Sequence, residues 1–219
     1  MKIYGYSERG MINSLIYSIG DDKKLITEFL HLIFPESIIG KPKDYDIFLE
    51  QSFSDFGDAD LVIIAEYSKK VKKSFFFEAK VKTFLGNWNI DAQYNKYMSN
   101  QKYYGWTSNL FYQLYLKQLM IDNFAILTSG VKDEHEGEKI RKLGENEIVY
   151  KAINMIGSED AYYVGIVPIK KEMIDKFLIG KDINIHFLLW ETIHEFCNDN
   201  NLTKVLEMFD YNGEQIYKK

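Results

Sequence analysis

Two stretches decide the fold of this chain: Asp58-Ala59-Asp60-Leu61-Val62-Ile63-Ile64 and Phe75-Phe76-Phe77-Glu78-Ala79-Lys80-Val81. Each contains a short run of β-branched or aromatic residues, which favours a buried strand. The charged segment Ser68-Lys69-Lys70-Val71-Lys72-Lys73 lies between the two runs and is typical of a turn. The two strands are therefore predicted to form a hairpin.

Charged side chains stand at one end of this hairpin. Because side chains alternate faces along a strand, Glu78 and Lys80 point the same way. Antiparallel pairing brings Asp60, at the start of the first strand, close to the end of the second strand. We therefore expect two carboxylates and one ammonium to meet at one edge of the sheet.

Such a set of groups suits the hydrolysis of phosphodiester bonds. Carboxylate oxygens hold Mg²⁺, a hard cation that keeps several of its waters and accepts phosphate oxygens. The metal lowers the pKa of a bound water, and a neighbouring lysine can orient that water and stabilise developing charge. An acidic residue two positions before a lysine also occurs at Asp21/Lys23 and Asp22/Lys24, but only Glu78/Lys80 lies on a strongly apolar strand.

The flanking sequence predicts a mixed α/β domain. Helices are predicted over residues 7–19, 22–34, from about 91, 108–120, from about 145 to 156, 172–178, 190–198 and 202–209, and further strands over 46–53, 124–128, 162–169 and 183–189. The densely charged stretch 132–147 is predicted to be an exposed loop that runs into the helix beginning near 145. No internal repeat or flexible linker is found in the sequence.

Composition and charge narrow the function classes. The 219 residues carry a formal charge of −5, which argues against a protein that coats nucleic acid through bulk charge. Arg9 and Arg141 are the only arginines, so contacts to a nucleic-acid backbone would rest mainly on lysine. Cys197 is the only cysteine, which excludes an internal disulfide and a cysteine-based zinc site. With no apolar run near the roughly 20 residues of a membrane span, and no signal peptide at the start, we expect a cytoplasmic protein without membrane contact.

The order of these motifs resembles the PD-(D/E)XK nuclease superfamily. Asp60 is followed by Glu78-Ala79-Lys80 and then by the helix Gln93-Tyr94-Asn95-Lys96-Tyr97, and this order is most similar to the RecB-type exonuclease branch. The first helix, with Ser7-Glu8-Arg9-Gly10-Met11-Ile12-Asn13, also looks like the first helix of that family. The resemblance implies one restriction-endonuclease-like domain over residues 1–219, with a core at about 7–128 and a C-terminal extension of strands and helices at 129–219.

The resemblance also implies roles for individual residues. Asp60, Glu78 and the Ala79 carbonyl would bind Mg²⁺ or Mn²⁺, and Lys80 would act on the nucleophilic water. Gln93 and Tyr97 would position water or the substrate strand, and Glu8 would be an accessory acid near the metal. The sequence departs from the family pattern twice: Ala59 replaces the proline that often precedes the first acid, and Asp58 competes with Asp60, which we prefer because it abuts the strand.

Two functions from different classes follow. The first is a metal-dependent nuclease acting on DNA, with RNA as an alternative substrate. The second is a catalytically silent nuclease-fold module that binds nucleic acid or a protein partner, including a second copy of this chain. The negative net charge and the scarcity of arginine favour the module, whereas Asp60, Glu78, Lys80 and Gln93 together favour the enzyme.

Overall fold

A five-stranded mixed β-sheet forms the centre of the protein in the computed structural model, which describes Gly5 and residues 7–68, 71–82, 88–99, 108–129, 141–157 and 160–217. The strands stand side by side in chain order: β1 (Asp44–Ser52), β2 (Asp58–Ser68), β3 (Val71–Ala79), β4 (Asp160–Val167) and β5 (His186–Leu189). β1, β2 and β3 are antiparallel neighbours, whereas β4 and β5 run parallel to β3. The predicted α/β class with a mixed central sheet is confirmed.

Helices cover both faces of the sheet. In the described residues they are α1 (Ser7–Ile19), α2 (Lys23–His31), α3 (Glu36–Ile39), α4 (Ile90–Ser99), α5 (Leu110–Asp122), α6 (Phe124–Ser129), α7 (Glu147–Ile156), α8 (Lys171–Leu178), α9 (Trp190–Asp199) and α10 (Thr203–Asn212), with 3-10 turns at Ser54–Phe56 and Gly213–Gln215. Asp22, Asn109 and Asn146 cap α2, α5 and α7 by accepting backbone N–H bonds, as short polar side chains do at helix starts. None of the described helices combines the length and apolar character that crossing a bilayer requires.

The alternation of side chains along β2 and β3 produces two apolar cores. Leu61, Ile63 and Phe77 face the core that α1, α2, α9 and α10 cover. Val62 and Phe76 face the opposite core, which α4, α5, α7 and α8 cover. A strand buried on both faces has no polar side to show, which explains the continuous apolar runs in the sequence.

The predicted hairpin is confirmed, and its register fixes the edge of the sheet where the polar side chains stand. Leu61 pairs with Phe77 and Ile63 with Phe75, so the amino end of β2 lies beside the carboxyl end of β3. β4 continues the sheet in parallel, with Gly165 opposite Glu78. The start of β2 and the ends of β3 and β4 therefore share one edge of the sheet.

One predicted element has the wrong type. Residues 124–128 were predicted to be a buried strand, but they form α6. Phe124 and Leu127 pack against the core, whereas Ala125, Ile126 and Thr128 are exposed. A spacing of three residues between the partly buried positions suits a helix on the surface of the domain, and a short apolar run cannot by itself distinguish such a helix from a strand.

Other boundaries shift by a few residues. β5 is shorter than predicted because residues 183–185 are irregular, and α7 begins at Glu147. Of the charged stretch predicted as a loop over 132–147, residues 132–140 lie outside the described part of the chain, and 141–146 contain no helix or strand. β4 and β5, from the segment predicted as a C-terminal extension, belong to the same sheet as the hairpin.

The close packing of α5 on the sheet predicts the effect of adding one methyl group at Gly165. A Cβ at Gly165 would stand 2.9 Å from Leu110 Cδ2 and 3.4 Å from Phe187 Cδ1, inside a packed core. We expect Gly165→Ala to lower the free energy of unfolding by about 1–3 kcal/mol, as overpacking does. Chemical denaturation measures the change.

Gly10→Ala in α1 is the matched control. Among the described residues, its new Cβ would come no closer than 3.4 Å, at the backbone of Gly5. Because alanine is the better helix former, this variant should be neutral or up to about 1 kcal/mol more stable. Equal effects at the two positions would contradict close packing of α5 on Gly165.

Candidate active site

Asp60 lies at the amino end of β2 with its carboxylate directed at β3. Its side chain is 11% exposed. Oδ2 accepts a 2.8 Å hydrogen bond from the backbone N–H of Ala79, and Oδ1 lies 3.7 Å from Nε of Arg9. Asp58 is more exposed and contacts Arg9 through Oδ2 at 3.6 Å. The hydrogen bond to Ala79 ties Asp60, rather than Asp58, to the end of β3.

Glu78 is the penultimate residue of β3, and its carboxylate is almost completely buried. It is 1% exposed, and Oε1 lies 3.3 Å from Nζ of Lys117, which is itself fully buried in α5. The same ammonium donates a 3.0 Å hydrogen bond to the Phe56 carbonyl. No donor among the described residues makes a hydrogen bond to Oε2 of Glu78.

The surroundings of Glu78 shift its ionisation. Burial raises the pKa of this carboxyl from its ordinary value of 4.5 to about 7, because the interior solvates the charged form poorly. The Lys117 ammonium acts in the opposite direction, and the Asp60 carboxylate raises the pKa further. Lys80 also lowers the pKa, so Glu78 interacts electrostatically with both other members of the predicted site.

Lys80 follows β3 directly and is held by its backbone. Its N–H donates to the Ile166 carbonyl at 2.8 Å, and its carbonyl accepts a 2.8 Å bond from Nε1 of Trp190. Lys80 is 8% exposed. These bonds fix the backbone that carries the lysine, and they come from two elements, β4 and α9.

Glu8 reaches the same edge of the sheet from the first turn of α1. Its Oε1 accepts a 3.4 Å hydrogen bond from the N–H of Val81, one residue after Lys80. The structure thus places Glu8 beside the end of β3, where the resemblance puts an accessory acid. The long distance makes this a weak contact.

Gln93 and Tyr97 contact a different part of the molecule. Oε1 of Gln93 accepts a 3.2 Å bond from the N–H of Leu110, so this side chain serves the first turn of α5. Tyr97 stacks on Phe111 and lines a cavity of about 410 Å³ between α4, α5 and residues 182–185. Burial raises the pKa of its hydroxyl. No described contact joins either residue to the carboxylates, so their role in positioning substrate stays a prediction.

Lys117 is the site residue that the sequence interpretation missed. It occupies a position of the buried stripe Leu110, Leu114, Lys117 and Ile121, whose spacing of three or four residues is typical of the inward face of a helix. A buried lysine on such a stripe needs an anionic partner inside the protein, because an unpaired buried charge is very costly. This signal was available in the sequence.

The residues present suit a divalent cation that keeps part of its water shell. Among the described residues, no group of three or more His, Cys, Asp or Glu side chains is placed to hold a metal ion. Mg²⁺ is commonly bound through only one or two carboxylates, with water and substrate oxygens completing its shell. Asp60 and Glu78 supply two carboxylates and Ala79 a carbonyl, which are ligand types of this kind, and no described residue donates a hydrogen bond to the buried Oε2 of Glu78.

The raised pKa of Glu78 predicts a pH-dependent stability. Because the folded-state value lies above 4.5, the contribution of this group is fully present below about pH 4.5 and is lost as the pH rises to about 7. The loss amounts to about 3 kcal/mol at most. Denaturation at pH 5 and pH 8 should show wild type losing more stability than Glu78→Gln, and parallel losses would contradict a buried ionisable Glu78.

Lys117 should stabilise the fold mainly through the charge of Glu78. At pH 8 we expect Lys117→Met to cost about 3 kcal/mol, because it leaves a buried carboxylate without its partner. At pH 5, where Glu78 is protonated, the cost should be smaller. Adding Glu78→Gln to Lys117→Met should remove most of the cost at pH 8 in a double-mutant cycle, whereas an equal cost at both pH values would assign Lys117 a packing role.

Comparisons with known proteins do not assign this chain to a family. Neither a model of a protein family, nor a characterised protein, nor a solved structure matches it. A function is therefore inferred from the residues at the shared edge of β2, β3 and β4 and from their chemistry.

Proposed function

We propose that this chain is a divalent-metal-dependent nuclease that hydrolyses DNA phosphodiester bonds. The observation that carries the proposal is the position of Asp60, Glu78 and Lys80 at one edge of the sheet, with a buried carboxylate oxygen to which no described residue donates a hydrogen bond. Glu78 interacts electrostatically with the other two residues. Perturbed carboxylates of this kind are concentrated at functional sites.

Each residue of the candidate site has its own role in the proposed reaction. Asp60, Glu78 and the Ala79 carbonyl would hold Mg²⁺ or Mn²⁺, which supplies an activated water and charge neutralisation when bound. Lys80 orients the attacking water and stabilises charge on the phosphate, since its backbone is fixed from both sides. Glu8 of α1, whose side chain lies beside the end of β3, would assist as an accessory acid.

We also propose a specific type of core, a substrate and a cellular location. A hairpin whose strand ends carry Asp60 and Glu78-Ala79-Lys80, followed by α4 and α5, agrees with a restriction-endonuclease-like core. We propose DNA as the substrate, with RNA as the alternative, and a cytoplasmic location. Protein partners and a homo-oligomer belong to the same proposal.

A silent binding module is the second candidate. One observation favours it: Lys117 already neutralises Glu78 from inside the protein, so the buried carboxylate does not require a metal for its charge. The packing of Gln93 and Tyr97 against α5 points in the same direction. A module of this kind would keep the fold and its partner surface without cleaving substrate.

Paired variants distinguish the two candidates. Asp60→Ala should abolish both cleavage and stabilisation by Mn²⁺, because a metal ligand is lost. Lys80→Ala should abolish cleavage and keep the rise in melting temperature that Mn²⁺ produces, because the lysine acts on water. Linear, circular and single-stranded DNA should be cleaved with Mg²⁺ or Mn²⁺ and poorly with Ca²⁺.

Lys82→Ala is the matched control, since Lys82 lies two residues after Lys80 and pairs with Glu214 at 3.5 Å. This variant should keep both cleavage and the Mn²⁺ response. If wild type, Asp60→Ala and Lys80→Ala respond alike to Mn²⁺ and none cleaves, the binding module is the better description. Cleavage that persists in excess EDTA would contradict metal dependence.

A further inference from the structure

Arg9 is the one arginine that the described residues place at the candidate active site. It lies in the first turn of α1, next to Glu8, and its side chain is 51% exposed. Its three nitrogens approach three different carboxylates: Nη1 lies 3.4 Å from Glu50, Nη2 3.6 Å from Asp58 and Nε 3.7 Å from Asp60. One guanidinium is thus shared among three acids.

These contacts are loose. Charge-assisted hydrogen bonds from a guanidinium to a carboxylate are about 2.7–2.9 Å long, and all three distances exceed that range. The Arg9 side chain is half exposed, and ion pairs made by such a side chain with the exposed Glu50 and Asp58 contribute little to stability. Arg9 can therefore exchange one anionic partner for another at low cost, and Glu50 would keep the 2.7 Å hydrogen bond from Nδ2 of Asn13.

We propose that Arg9 is a phosphate-binding residue that rests on Asp60 until a divalent cation binds there. The inference depends on the proposed nuclease function. A cation held by Asp60 repels the guanidinium, since both are positive, and frees it for the substrate. A guanidinium matches the two oxygens of a phosphodiester with two parallel N–H donors.

Three other described cations are less suited to bind a phosphate through two parallel N–H donors. Lys117 is fully buried against Glu78, and Lys80 is nearly buried. Arg141 lies elsewhere, with Nη2 2.7 Å from the Tyr112 hydroxyl. Its 51% exposure and its contact with Asp60 distinguish Arg9 from these three residues.

Arg9→Gln tests the proposal because it should move two affinities in opposite directions. Mn²⁺ binding without DNA, measured by the electron paramagnetic resonance signal of free Mn²⁺, should become several-fold tighter, because a positive neighbour of Asp60 is gone. Binding of a short duplex DNA in Ca²⁺ should become weaker, and the slope of log affinity against log salt should fall by about one. A purely structural role would not produce this opposition.

Two further variants complete the experiment. Arg9→Lys keeps the charge, so it should retain the Mn²⁺ affinity of wild type and only part of the DNA affinity. Lys204→Gln removes one charge from exposed surface of α10 and should change neither affinity by more than a small factor. Unchanged or jointly weakened binding in Arg9→Gln overturns the role of Arg9 while metal-dependent cleavage by wild type stands, whereas a wild-type protein that binds no Mn²⁺ overturns the proposed function itself.

Discussion

The burial of the Glu78 carboxylate is the constraint on which the rest of the site depends. β3 lies between β2 and β4, with apolar cores on both faces, so the side chain of Glu78 near its end is only 1% exposed. Burying one charge costs several kcal/mol unless a partner compensates it. α5 supplies Lys117 as that partner, and the Phe56 carbonyl holds the ammonium. The position of α5, which packs against Gly165, therefore also determines the electrostatics of the site, because α5 carries Lys117.

A buried ion pair is a weak source of stability, because apolar residues of similar volume would serve the fold at least as well. The proposed metal chemistry would account for its presence at the end of a strand, next to Asp60 and Lys80. Lys117 allows Glu78 to carry charge in a dry environment, where its interaction with a cation would be strong. The nuclease and the binding module differ in whether that charge binds a metal, and the buried Oε2, which accepts no hydrogen bond from a described residue, favours the nuclease.

The parts of this structure that the sequence predicts are those with a local physical cause. The apolar runs of β2 and β3 and the charged turn between them determine the hairpin, and the hairpin determines which edge Asp60 and Glu78 share. Contacts between distant segments have no comparable signal. The apolar run at residues 124–128 suits either a strand or a helix. The helix forms because two of its residues pack on the core that α4, α5, α7 and α8 cover. Lys117 contacts Glu78 because of where α5 packs on the sheet, and the periodicity of apolar residues in a helix does not predict that partner.

The positive charges at this edge of the sheet differ in accessibility, and accessibility determines what each can do. Lys117 is fully buried beside Glu78, and Lys80 is 8% exposed. Arg9 stands outside, among three carboxylates that it does not bind tightly. A chain with a formal charge of −5 attracts a polyanion only through local cations. An exposed arginine that the metal itself releases would make attraction of the phosphate conditional on a loaded site, and would shield Asp60 when the site is empty.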